Sequence, residues 1–195
     1  IPSEWSAKVK HWHQLNQPLF RELDGDAVPD ANEEYLIYQT LVGTWPAQPQ
    51  SAEERAAYPE RILQYMGKAL REAKIHVSWM NPSDDYEAAV RDFISELLSD
   101  KGQHFTADLS RFVGQIADAG YINSLAQLVL KTTLPGVPDF YRGTELWDFN
   151  LVDPDNRRPV DYDARRKCLD QLGRAAESGD TNAAREVVGR WPDPD

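Results

Sequence analysis

The stretch Leu134-Pro-Gly-Val-Pro-Asp-Phe-Tyr-Arg-Gly-Thr-Glu-Leu-Trp147, with Val152-Asp-Pro-Asp-Asn-Arg-Arg-Pro-Val-Asp-Tyr162 close behind it, decides how this chain reads. Pro135, Gly136, Pro138 and Gly143 forbid a continuous helix here. Residues 137–140 read as a short strand, and 143–162 as irregular chain. Aromatics, carboxylates, arginines and an amide crowd into these positions. Helix packing does not ask for that mixture, whereas the hydroxyls and apolar faces of a sugar do.

Outward from this stretch the pattern is helical. Trp5, Val9, Trp12 and Leu15 recur at helical spacing, with Ser3 as the expected cap. Asp24-Gly25-Asp26 and Pro29 read as a loop. Asp30 followed by Glu33 spells a capping box, opening a helix whose apolar face is Tyr35, Leu36, Tyr38, Leu41 and Val42. Ser51 to Glu54 repeats the start signal. The helix that follows carries Ile62, Tyr65, Met66, Ala69, Leu70 and Ala73 on one side, and Pro59 is expected to divide it. Asn81-Pro82 predicts another start, with Asp84 and Asp85 at its positive end and Ala88, Ala89, Phe93, Ile94, Leu97 and Leu98 buried. Two helices, about 106–119 and 121–131, are expected to join at Gly120. Residues 164–178 predict a last clear helix, and 182–189 a further one.

The bulk properties bound the function. The chain has 195 residues, a formal charge of -11 and 41% hydrophobic residues, which describes a soluble globular protein. The acidic balance argues against nucleic acid, whose phosphates need cationic partners, and equally against anionic membranes. No apolar run reaches the ~20 residues of a membrane span. The single Cys168 forbids an internal disulfide, so a cytoplasmic setting is expected. His11 and His13 point to different sides of a helix. Paired cysteines, a Gly-rich phosphate loop and a Gly-x-Ser-x-Gly elbow are all lacking, so neither a metal nor a cofactor is expected.

The two quoted runs resemble the last barrel strand, and the loops after it, of the α-amylase family, glycoside hydrolase family 13. There Pro-Gly-x-Pro-x-x-Tyr-x-Gly-x-Glu and Asp-x-x-Asn-Arg-Arg-Pro recur. Gly143-Thr-Glu-Leu-Trp-Asp148 and Leu151-Val-Asp-Pro-Asp-Asn-Arg-Arg-Pro-Val-Asp161 are most similar to the trehalose-forming branch of that family. Arg71-Glu-Ala-Lys-Ile-His-Val-Ser-Trp-Met-Asn-Pro82 matches the same branch in its helical insertion.

The resemblance implies a mainly α chain: a helical insertion region over 1–120, the last strand, substrate loop and last helix of a (β/α)8 barrel over 121–178, and a tail or following domain from 179. It implies an isomerase that converts the reducing-end α-1,4 bond of a malto-oligosaccharide into an α,α-1,1 trehalose linkage. The family's three catalytic carboxylates lie at strands four, five and seven. Neither a Gly-x-Arg-x-Asp run nor a His-Asp pair occurs here, so no catalytic residue is assigned and the chain alone is expected to be inactive. Its expected partners are the glucan and the rest of a parent polypeptide.

The expected substrate-binding residues are Tyr141, Arg142, Glu145, Trp147, Asp153, Asp155, Asn156, Arg157 and Arg158, with Asp139 alongside. The C-terminal ends of barrel strands are where such folds build sites. Tyr141 or Trp147 can stack on a glucose ring. Arg157 and Arg158 offer planar forks for vicinal hydroxyls or carboxylates. Lys74, His76 and Trp79 are further candidates to reach a glucan. Beside this stands a plainer reading, in which the aromatics only pack and adjacent Asp and Arg satisfy each other. Two other functions fit the pattern: a non-catalytic helical glucan-binding module, and a different amylase-family hydrolase.

Overall fold

The computed structural model describes residues 2–46 and 51–177, with Arg185 and Gly189 beyond them. The chain is mainly helical: α1 (Pro2–Asn16), β1 (Arg21–Leu23), β2 (Asp26–Val28), α2 (Ala31–Thr44), α3 (Ala52–Ala73), α4 (Asp84–Leu97), α5 (Gln103–Thr133) and α6 (Tyr162–Glu177). It separates into two compact units. One comprises Ile1–Ala117 and Phe149–Arg157, the other Asp118–Asp148 and Arg158–Asp195.

The first unit packs around Trp12, which is fully buried. Its indole meets Tyr38 and Phe105 edge-on, both at 5.4 Å, and Phe112 at 5.8 Å. Such edge contacts suit the ring quadrupoles. Ile37, Tyr38 and Leu41 of α2, Ile62, Met66 and Leu70 of α3, and Phe93, Ile94 and Leu97 of α4 complete the core. The indole N–H is not left dry. It donates to Asp108 Oδ2 at 2.9 Å, and Lys8 Nζ reaches the same carboxylate at 2.7 and 2.9 Å. Arg111 adds a bond at 3.0 Å. Burial alone raises the carboxyl of Asp108, but these donors outweigh it and bring the value down to about 2.

The capping box of α2 forms as its sequence predicts. Asp30 Oδ1 accepts from the N–H groups of Asn32 and Glu33 at 2.9 and 2.8 Å, and Glu33 accepts from the Asp30 N–H at 3.2 Å. Elsewhere the structure corrects the boundaries. Ser3 lies inside α1 rather than capping it, with Pro2 at the start, where its missing N–H costs no hydrogen bond. The 24–29 loop is part of a hairpin pairing Arg21 with Val28 and Leu23 with Asp26. Asp24 and Gly25 turn it at φ +54° and +91°, the left-handed pair that a tight hairpin needs.

Pro59 sits inside an undivided α3. Ser83, not Asn81, caps α4, its hydroxyl accepting from the Tyr86 N–H. Gly120 does not interrupt α5; a glycine inside a helix costs about 1 kcal/mol and does not by itself break it. Residues 137–140 have no regular secondary structure and are not a strand. A strand exists through its neighbours' hydrogen bonds, and among the described residues β1 and β2 pair with each other alone. The expected helix over 182–189 falls mostly outside the described residues.

No helix among the described residues is long and apolar enough to cross a membrane.

Candidate functional site

In the first unit, residues 149–157 form a loop closed by a single 3-10 turn, Asp155–Arg157. Backbone bonds from Asp155 to Val152 O at 3.1 Å and from Arg157 to Pro154 O at 3.0 Å shape it. Helix α3 fastens it. Arg61 Nε donates to both oxygens of Asp155, at 2.9 and 3.0 Å, and the Leu151 N–H donates to Oδ2 at 2.6 Å. Arg61 also bonds the Phe149 carbonyl. About two turns further along the same face of α3, Lys68 donates to the Asp153 carbonyl at 2.8 Å and its carboxylate at 3.1 Å. Arg157 pairs with Asp153 from inside the loop. The Arg61–Asp155 pair is largely shielded, with side chains 17% and 9% exposed, whereas the Arg157 side chain is 69% exposed. The carbonyl of the Asn156 side chain is shut from solvent without a hydrogen-bond partner.

In the second unit, Tyr141 to Glu145 make a turn. Its Thr144 donates N–H and hydroxyl to the Tyr141 carbonyl at 3.3 and 2.7 Å. Gly143 has φ +91°, and a Cβ there would stand 3.2 Å from Val160 Cγ2. Arg165 of α6 organises the turn. It donates to Glu145 at 2.9 Å, to the Gly143 carbonyl at 2.5 Å and to the Asp161 carbonyl at 3.0 Å. The bond from Arg165 holds the carboxyl of Glu145 below its usual range. Trp147 packs on Tyr121, ring centres 4.8 Å apart. Tyr141, Arg142 and Arg158 are exposed.

The structure thus gathers Asp153, Asp155, Asn156 and Arg157 into one fastened loop, and ties Glu145 to the Gly143 turn. It brings neither Tyr141 nor Arg142 against another expected binding residue of their unit. Arg61, Lys68 and Arg165, which do the fastening, carry no motif and went unread.

The third motif lies at the start of α2. His76 Nε2 meets Asp30 Oδ2 at 2.8 Å and stacks on Tyr86 at 4.6 Å, with Tyr86 donating to Glu33 at 2.5 Å. Burial raises the carboxyl of Glu33 against the bonds it accepts; burial also works to raise Asp30, yet the bonds from Glu33, His76 and Asn32 leave it lowered. Asp30, Glu33 and His76 have ligand atoms within 4.8 Å of one another, close enough for a metal ion. Lys74 takes φ +58° just past the end of α3. Trp79 lies under Arg71, 4.9 Å from the ring centre, while Arg71 grips Glu87 at 2.6 and 2.9 Å.

No protein-family model matches this sequence. A Mycobacterium tuberculosis (strain H37Rv) protein bearing a maltooligosyl trehalose synthase name is 41% identical over 144 residues, 74% of this chain and 18% of that protein. A crystal structure of a maltooligosyl trehalose synthase matches at TM-score 0.72 and 36% identity, over 87% of this chain and 21% of the other. A Sulfolobus tokodaii structure described as a hypothetical maltooligosyl trehalose synthase matches at TM-score 0.68 and 38% identity, over 82% and 20%. The chain therefore spans about a fifth of the length of the relatives it matches.

Proposed function

We propose that this chain, which belongs with the maltooligosyl trehalose synthases, supplies the part of such an enzyme that holds the reducing-end glucose of a malto-oligosaccharide. The observation that carries the reading is the fastening of the family-like loop. Arg61, Lys68 and the Leu151 N–H fix residues 149–157 before any ligand arrives. A preordered loop binds without first losing its own freedom. Asp155 and Asp153 then act as positioning residues. In the first unit Arg157 offers a guanidinium fork to sugar hydroxyls; in the second, taken by itself, Arg158 offers another and Tyr141 and Trp147 offer ring faces.

The reaction is an intramolecular transglucosylation. A carboxylate nucleophile takes the glucan at C1, breaking the terminal α-1,4 bond, while an acid protonates the departing O4 of the reducing-end glucose. That glucose is retained and turns. Its anomeric O1–H attacks C1, giving its proton to the acid/base and releasing the nucleophile, and the new bond is α,α-1,1. The fastened 149–157 loop keeps the glucose in place and water away. The nucleophile and acid/base come from outside these residues, within a parent barrel of which 121–178 is the closing portion.

Two measurements test this. The 195-residue chain incubated with maltopentaose is expected to leave reducing ends unchanged and to give no α,α-1,1 anomeric signal by proton NMR. With this segment replacing its counterpart in the M. tuberculosis relative, Arg157→Ala or Glu145→Gln is expected to raise hydrolysis relative to trehalose formation. A ratio unchanged in both variants would overturn the assignment.

A further inference from the structure

We infer that the cleft between the β1–β2 hairpin and the starts of α2 and α4 is a saccharide-binding site, taking a stretch of α-glucan; the choice of ligand rests on the function proposed above. The cleft encloses about 710 Å³, within the ~300–1,000 Å³ of small-ligand sites. No residue of 134–158 lines it.

Its walls and its polar groups are both suited to sugar. Phe20 and Tyr86 supply ring faces, with Leu23 and Pro29 alongside. Phe20 is backed by Phe93 at 4.8 Å and Tyr86 by His76 at 4.6 Å, so neither ring needs ordering on binding. In its lining, His13 Nδ1 meets Glu34 at 2.8 Å and His76 Nε2 meets Asp30 at 2.8 Å. The second nitrogen of each imidazole has no hydrogen-bond partner among the described residues, and the carboxylate favours the tautomer that donates to it. Asp24, Asp26 and Asp85 line the cleft without a side-chain partner among the described residues, leaving carboxylates to accept from hydroxyls.

A cation fits these atoms less well. Asp30 Oδ1 already caps α2 and its Oδ2 holds His76, while Glu33 Oε2 accepts from the Asp30 N–H and from Tyr86. A metal bound by this trio would have to dismantle the capping box. A neutral polyol breaks none of these bonds.

The test uses the 195-residue chain, proton NMR of the His13 and His76 ring signals, and maltoheptaose as ligand. Saturable shifts of both signals are expected. Asp26→Ala with Asp85→Ala should weaken binding by at least about tenfold, which the loss of a single charge-assisted hydrogen bond already gives, with an unchanged circular dichroism spectrum. Arg157→Ala should leave the shifts intact, which separates this site from the 149–157 loop. Absence of shifts at millimolar maltoheptaose would overturn the inference. So would shifts produced by zinc or calcium alone, or shifts abolished by Arg157→Ala. The transfer-to-hydrolysis ratio in the complete enzyme does not enter this experiment, so either proposal can fail without the other.

Discussion

Arg61 clasps Asp155 across 94 residues of sequence, with Nε 2.9 and 3.0 Å from its two oxygens and Nη2 2.9 Å from Oδ2. Exposed ion pairs contribute little, and buried ones cost much when one partner is removed. This pair lies nearer the second case. Arg61→Ala should loosen residues 149–157 and cost about 2 kcal/mol. Arg61→Lys should recover little, because an ammonium cannot reproduce the fork. Hydrogen exchange at the Leu151 N–H reports the loop directly. Protection as strong as in the parent chain would refute the role given to Arg61.

Asp108 should hold its charge to lower pH than an ordinary aspartate. Its folded value, about 2, lies below the ordinary one near 4. The carboxylate therefore stabilises the fold at neutral pH, and that contribution fades as pH falls from about 4 through about 2. It amounts to about 2 kcal/mol. Asp108→Asn should lose most of it at neutral pH and flatten the acid limb of the stability curve. Urea unfolding followed across pH is the check.

Gly143 and Gly136 both take positive φ, at +91° and +142°, but only Gly143 has a neighbour where a Cβ would stand. Gly143→Ala should strain the backbone and push Val160, costing about 1–3 kcal/mol. Gly136→Ala meets open space and carries the backbone term alone. Limited proteolysis within 134–148 should therefore accelerate more for Gly143→Ala.

Glu145 should titrate below an ordinary glutamate because Arg165 is bonded to it. Arg165→Met should return it to the usual carboxylate range, read by carbon NMR of the side-chain carboxyl. The folded turn draws its help from this pair above the ordinary carboxyl value and loses it as pH falls through the lowered one. An unmoved titration in Arg165→Met would detach Glu145 from Arg165.

Local signals survived folding, and distant ones were invisible. The Asp30–Glu33 box and the burial of Trp12, Ile62, Met66 and Phe93 were legible because capping and helical period are short-range facts. Asp24-Gly25 carried a hairpin signal, but strands of three residues are too brief to show alternation. Ile37 is wholly buried yet was absent from the expected face of α2, since that helix is covered on more than one side. Pro59 and Gly120 read as breaks because propensity counts a residue's preference and not the packing that overrides it. The site was legible as composition and as a family-like motif, not as a set of contacts. That Asp155 is taken by Arg61, and Glu145 by Arg165, depends on partners 94 and 20 residues away.

The first unit resumes at Phe149 after the chain has left it at Ala117. That gives the molecule an order of assembly. Residues 149–157 have nowhere to land until α3 is in place with Arg61 and Lys68 presented, so their docking follows the formation of that helix. Closing so long a loop delays docking more than it weakens it. A polypeptide ended at Ala117 would keep the Trp12 core but face water with two unanswered cations on α3. Short-lived release of this one segment, rather than melting of the helices, would then set the pace at which the loop exchanges.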